Sequence, residues 1–189
     1  EIKSIITKDR SLSKHVQLHS RGRLIALRCF PKNVLKTKWA LVDKHLNLSR
    51  DDIIEFVNEM LPLIKQHGNI LTAENAIQAI KNNNVLNRFE DMVLTLFDLC
   101  KNHINFIVKN DTLYHVDADI PNLSQENCLQ KIAAKVNSKG IKKKDLMNQA
   151  NQLYGKKVQY NTASRLTKFG FIYDTEEDIW YKGELIGNW

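Results

Sequence analysis

The chain is poor in the residues that mark chemistry. Cysteine occurs three times, at Cys29, Cys100 and Cys128; wide spacing and an odd number speak against a disulfide framework or a zinc knuckle, and buried reduced thiols are expected. The 7 glycines form no P-loop, no G-x-S-x-G and no G-x-G-x-x-G, so a phosphate cradle and a nucleophile elbow are both missing. The six histidines, His15, His19, His45, His67, His103 and His115, include no H-E-x-x-H spacing, and no cysteine pairs with them as zinc ligands do. No stretch approaches the roughly 18 uninterrupted apolar residues of a membrane span. The opening Glu1-Ile2-Lys3-Ser4 lacks the character of a secretion signal, so an intracellular location is expected. The pair Glu176-Glu177 falls in an expected turn, where solvent rather than a cleft surrounds both carboxylates, and acid/base work is not expected of it. No catalytic residue, metal, cofactor or small-molecule substrate is expected.

What is there is the composition of a folding protein: 189 residues, 43% apolar and 26% charged, enough for one large domain or two small ones. Roughly a tenth of the chain is asparagine, a bias of AT-rich codons more than of chemistry. The net charge of +7 is unevenly spread. Residues 1–48 carry 11 basic and 3 acidic side chains, residues 49–119 carry 6 and 11, and residues 120–189 carry 11 and 7. The middle piece is acidic and repels a phosphate backbone, so any polyanion contact belongs to the ends.

Periodicity divides the chain further. Ser49 with Asp52 reads as a capping box, followed at helical spacing by Ile53, Phe56, Val57, Met60, Leu63 and Ile64, with Pro62 expected to bend or break that helix. Thr72 caps a second helix bearing Ala73, Ala76, Ile77 and Ile80, which ends in Asn82-Asn83-Asn84. Asn87 and Glu90 open a third, Arg88 to Lys101, whose stripe is Phe89, Met92, Val93, Leu96, Phe97 and Cys100. Ile104 to Val108 and Leu113 to Val116 then bracket a polar turn as a β-hairpin. After the short acidic connection Asp117 to Asn122 the same order begins again. Ser124 caps a helix with Cys128, Leu129, Ile132, Ala133 and Val136 that stops near Gly140. Lys142 to Tyr154 forms the next, with Leu146, Ala150 and Leu153 inward and Gly155 at its end. Asn161 or Thr162 caps a third through Phe169, closed by Gly170. Phe171-Ile172-Tyr173 and Ile179-Trp180-Tyr181 form the second hairpin about an acidic turn. Three helices and a hairpin, twice, is the winged-helix order. The expected fold class is α+β, mainly helical, as tandem winged-helix domains: a basic, partly helical extension over 1–48, a first domain over 49–117, a linker at 118–123 and a second domain over 124–189. The final Leu185 to Trp189 either packs back or forms a tail.

Two kinds of site residue stand out. Lys142, Lys143, Lys144, Lys156, Lys157, Arg165 and Lys168 are positioned either to face nucleic acid from the second domain or to form a solvated face. The first domain's third helix carries Glu90, Asp91 and Asp98, which opposes groove reading, and Leu94 and Leu99, off the central stripe, offer either an apolar shoulder to a protein or core packing. In the second hairpin Tyr173 and Tyr181 are candidate docking groups, Trp180 being core.

The runs Phe89-Glu90-Asp91-Met92-Val93-Leu94, Ile104-Asn105-Phe106-Ile107-Val108-Lys109, Leu113-Tyr114-His115-Val116 and Cys128-Leu129-Gln130-Lys131-Ile132 carry a resemblance. They are similar to the C-terminal tandem winged-helix region of the middle subunit of the CST telomere complex, a relative of the middle subunit of replication protein A, over residues 50–183. The resemblance implies a nuclear, telomeric, non-catalytic docking module. Its implied partners are other CST-like subunits, DNA polymerase alpha and primase, or telomerase proteins, with weak DNA binding at most. In ciliates a CST-like complex belongs to the telomerase holoenzyme. The family's N-terminal OB-fold has no counterpart here, which implies a C-terminal fragment; the basic 1–48 and the asparagine-rich stretch before the third helix depart from the family pattern. Gly22 to Met60 and Trp180-Tyr181-Lys182-Gly183 also bear a likeness to the tandem winged-helix tail of a peripheral RNA polymerase III subunit. A winged-helix DNA-binding regulator is the third reading.

Overall fold

The computed structural model describes residues 24–28, 38–41 and 46–183. They form an α+β protein, about half helical, with two small three-stranded antiparallel sheets. Strands β1 (Leu24–Leu27) and β2 (Lys38–Leu41) pair antiparallel, Leu24 opposite Leu41. This is where a partly helical extension was expected; a four-residue apolar run does not distinguish strand from buried helix. The rest of residues 1–45, and Leu185 to Trp189, lie outside the described residues.

Helix α1 (Arg50–Gln66) starts at the expected box: Asp52 N–H donates to Ser49 Oγ at 3.1 Å, and Ser49 N–H and Oγ–H donate to Asp52 Oδ2, each at 2.6 Å. Those bonds hold the Asp52 carboxyl below its usual range. The helix runs on through Pro62, which loses one intrahelical donor but does not end it. After β3 (Ile70–Thr72), Thr72 caps α2 (Ala73–Ile80) by accepting from Asn75 N–H at 3.3 Å. Asn83 then organises the connection, accepting from the N–H groups of Val85 and Leu86 at 2.9 Å and donating to Glu59 Oε2 at 2.8 Å. The third helix is split. A 3-10 stretch, Asn87–Met92, enters without a side-chain cap, so Asn87 and Glu90 make no box; α3 proper is Val93–Cys100.

Strands β4 (Phe106–Lys109) and β5 (Thr112–His115) make the first hairpin, with Lys109 opposite Thr112. Asn110 and Asp111 lie at φ 50° and 57°, the paired left-handed residues of a two-residue turn. Helix α4 (Gln125–Ala134), capped by Ser124, is followed by β6 (Ile141–Lys142) and α5 (Lys143–Tyr154), ended by Gly155 at φ 74°. Tyr160–Phe169 is also 3-10, and within it the Ser164 and Thr167 hydroxyls donate to carbonyls three residues back, at 2.6 and 2.8 Å. Gly170 (φ 80°) closes it, and β7 (Phe171–Asp174) and β8 (Ile179–Lys182) form the second hairpin. Each hairpin takes a third strand from just ahead of a helix, in the orders β3-β5-β4 and β6-β8-β7.

The described residues fall into two compact units, one holding those up to Leu63 with Thr72–Cys100, the other Ile64–Leu71 with Lys101 onward. In the first, Phe56 and Phe89 meet edge-to-face at 5.0 Å, and the Arg88 guanidinium stands 5.6 Å from the Phe56 ring. In the second, Leu129, Ala133, Leu146, Ala150, Leu166, Phe171 and Trp180 share one core with Ile104. A smaller cluster gathers Ile107, Val116, Ala118 and Ile120, so both apolar residues of 118–120 are buried. Buried Gln130 on α4 reaches the first hairpin: Nε2 donates to the carbonyls of Ile104 at 3.0 Å and Phe106 at 2.8 Å. Val116 N–H bonds Asn105 O, which sets the ladder so that Phe106 turns its main chain away from β5, and Gln130 satisfies that outward carbonyl.

Candidate interaction surfaces

The basic residues of the second helix array are disposed unequally. Arg165 and Lys168, on the 3-10 helix, converge on one carboxylate. Arg165 Nη1 lies 2.7 Å from Glu126 Oε2, and Lys168 Nζ bonds Glu126 Oε1. Burial raises the Glu126 pKa, but the bonds and charges of Lys168 and Arg165 outweigh it, and the carboxyl is held below its usual range. Lys168 also stands 4.6 Å from the Phe169 ring. A phosphate approaching this helix therefore meets a pair of cations already half compensated from α4. Lys143 is engaged as well, 4.0 Å from Asp178 Oδ1 and 5.5 Å from the Tyr173 ring. Lys142, Lys144, Lys156 and Lys157 are exposed and form no ion pair among the described residues. The structure thus divides the expected nucleic-acid set: three cations have acidic partners and four are solvated.

The second hairpin separates the two candidate tyrosines by strand alternation. Tyr173 faces inward, its ring 5.1 Å from that of Trp180, and its hydroxyl donates to Asp178. That bond keeps the phenol protonated beyond its usual range. Tyr181 points to the opposite face, directly across from Ile172, which at 48% is the most exposed large apolar side chain among the described residues. Ile179 shares this outer face, and Gly140 comes so close that a Cβ there would lie 2.6 Å from Ile179 Cγ2 and 3.1 Å from Tyr181 Cβ. The turn is acidic: Asp174 Oδ1 accepts from the N–H groups of Glu176 and Glu177, at 2.9 and 3.1 Å, leaving both glutamates exposed. Tyr181 was a candidate from the sequence and Ile172 was not, although its place opposite Tyr181 on a strand was the available signal.

In the first unit Leu94 and Leu99 are 1% and 5% exposed, so of the two readings, apolar shoulder or core packing, the positions take core packing and are not a docking surface. Every residue of α3 except Asp98 is buried; a helix buried all round has no off-stripe positions. Asp98 receives Arg28 Nη1 at 3.1 Å. Among the described residues no group of three His, Cys, Asp or Glu side chains is placed to hold a metal, and no helix is long and apolar enough to cross a membrane. His15 and His19 lie outside the described residues.

The second unit also contains a cleft of about 680 Å³. The segment Asp119 to Leu123 forms one wall, and the end of α5 with Lys156 the other. Leu153, expected to point inward, is instead 44% exposed on that second wall, while its neighbour Tyr154 packs against the core that Leu146 and Ala150 enter. Comparisons with known proteins leave the surfaces to speak for themselves: no protein-family model, no curated protein and no solved structure matches the chain.

Proposed function

We propose that the chain is a tandem winged-helix, non-catalytic protein-interaction module of a nuclear, telomere-capping or telomerase-associated CST-like complex. It docks other CST-like subunits, DNA polymerase alpha and primase, or telomerase proteins, and it binds nucleic acid weakly. The twice-used order of helices, hairpin and a third strand supplied ahead of a helix is compatible with winged helices. The observation that carries the docking reading is the Glu126 clamp. The helix that a winged helix offers to the major groove has its two cations bound to a carboxylate. The hairpin meanwhile presents apolar Ile172 and Tyr181 outward above an acidic turn. Aromatic anchors in apolar patches dominate protein interfaces, and glutamates at a wing tip repel phosphate.

The test is affinity purification of the full-length protein with mass spectrometry, comparing the unmodified chain, Tyr181→Ala with Ile172→Asp, and Arg165→Ala with Lys168→Ala. Telomeric or replication subunits retained by the charge variant and lost by the hairpin variant are expected. Recovery of RNA polymerase III subunits instead would replace the proposal with the transcriptional reading. Loss of function in the charge variant with protein partners retained would replace it with a DNA reader.

A further inference from the structure

The 680 Å³ cleft in the second unit is independent of the hairpin face, and its two walls are fixed before any partner arrives. On one side Lys109 Nζ donates to the carbonyl of Pro121 and, at 2.7 Å, to that of Asn122, while Lys131 Nζ donates to Ala118 O at 2.6 Å. Buried Ala118 and Ile120 anchor the same segment from beneath. On the other side Gly155 turns the chain at the end of α5, and Asn151 Oδ1 accepts from Val158 N–H at 2.7 Å, tying the loop that carries Lys156 back to the helix. Binding to such a site need not order either wall, a cost that otherwise subtracts from affinity.

The lining has two chemistries. Ile120, Leu123, Tyr154 and half-exposed Leu153 supply apolar surface. Lys131 and Lys156 supply two ammonium groups to the lining against one lining carboxylate, Asp119, with Asp117 and Lys135 also close enough to act on Lys131. Lys131 gives one N–H to Ala118 O, which leaves others of its donors for a ligand, and Lys156 forms no ion pair among the described residues. A site of this volume takes a drug-sized or short-peptide group, and its excess cation asks for an anion beside an apolar side chain.

We infer that this cleft binds a short acidic-apolar segment of a partner protein, its leucine or phenylalanine seated on Leu153 and Tyr154 and its carboxylates facing Lys131 and Lys156. Nucleic acid fits less well: Asp119 stands in the wall, and the lining has only one aromatic ring for base stacking.

The test is fluorescence anisotropy on the full chain with three labelled probes: the peptide Asp-Asp-Leu-Phe-Asp-Leu, its analogue with lysine in place of each aspartate, and a single-stranded dT12. The acidic peptide is expected to bind saturably, and Leu153→Asp and Lys156→Glu, both at exposed positions, are expected to weaken it by about tenfold each. Ile172→Asp should leave that binding unchanged. Failure of the acidic peptide to saturate, equal binding of the lysine peptide, or indifference to both cleft substitutions would overturn the inference. Tighter binding of dT12, lost in the same variants, would also overturn it, in favour of a nucleic-acid site. Because the docking reading is tested at Tyr181 and Ile172, the two can fail separately.

Discussion

Glu126→Gln is the substitution that bears most directly on why this chain should bind DNA weakly. Glutamine keeps the shape and an acceptor but removes the charge that compensates Arg165 and Lys168. Removing one carboxylate uncovers one net positive charge, equivalent to about one further phosphate contact, which steepens the slope of log K against log salt by about 0.9. Between about 50 and about 200 mM salt the advantage of the variant over the unmodified chain should therefore shrink by about 3.5-fold. The side chains of Arg165 and Lys168 are 65% and 41% exposed and that of Glu126 22%, so solvent screening limits the folding cost to about 1 kcal/mol. That cost also depends on pH. The folded-state pKa of Glu126 is depressed, so the clamp's contribution is present above the unfolded carboxylate value and disappears as pH falls through the lower folded one. The assay is anisotropy of a labelled duplex titrated with each protein at four salt concentrations, beside urea unfolding of both. Equal affinities, or a gain that does not change with salt, would refute the claim that Glu126 competes with phosphate for these cations.

Three further outcomes are expected. Gly140→Ala places a Cβ 2.6 Å from both Ile179 Cγ2 and Trp180 O at φ +78°, whereas Gly155→Ala at φ +74° meets nothing within 4 Å; urea unfolding should show losses of about 3 and about 1 kcal/mol respectively. Burial, with the charges of His115 and Lys182, lowers the His103 pKa to about 4. As pH drops below about 6.5 the unfolded chain gains a proton that the folded one refuses, so stability should fall between about 6.5 and about 4, and His103→Gln should flatten that decline in pH-dependent thermal melts. Gln130→Ala strips the donor from two buried or outward carbonyls and should cost about 2 to 3 kcal/mol by chemical denaturation.

Features written in neighbouring residues were legible in the sequence. The Ser49 box, the Thr72 and Ser124 caps, the glycine ends of α5 and the following 3-10 helix, and both hairpins needed only local spacing. What escaped was too short or too distant. Strands β3 and β6 span three and two residues, too few for alternation to show. Leu94 and Leu99 lay off a stripe that stopped mattering once α3 was buried on all sides, and in the last turn of α5 it is Tyr154 rather than Leu153 that packs on the core. The Glu126 clamp joins residues 39 and 42 positions apart. Charge counting saw Arg165 and Lys168 as free because it could not see the carboxylate folded against them.

Protein synthesis gives the Gln130 amide a meaning in time. Its partners at Phe106 and Ile104 precede it by 24 and 26 residues, so at about 5 to 20 residues per second they leave the ribosome on the order of one to five seconds before it. During that interval β4 shows the nascent chain's surroundings an outward carbonyl that only water satisfies, the kind of edge to which another strand adds. Arrival of α4 ends the exposure. A chain whose translation stalls between the first hairpin and residue 130 would keep it, which makes that stretch the interval in which a chaperone or a neighbouring polysome chain has its opening.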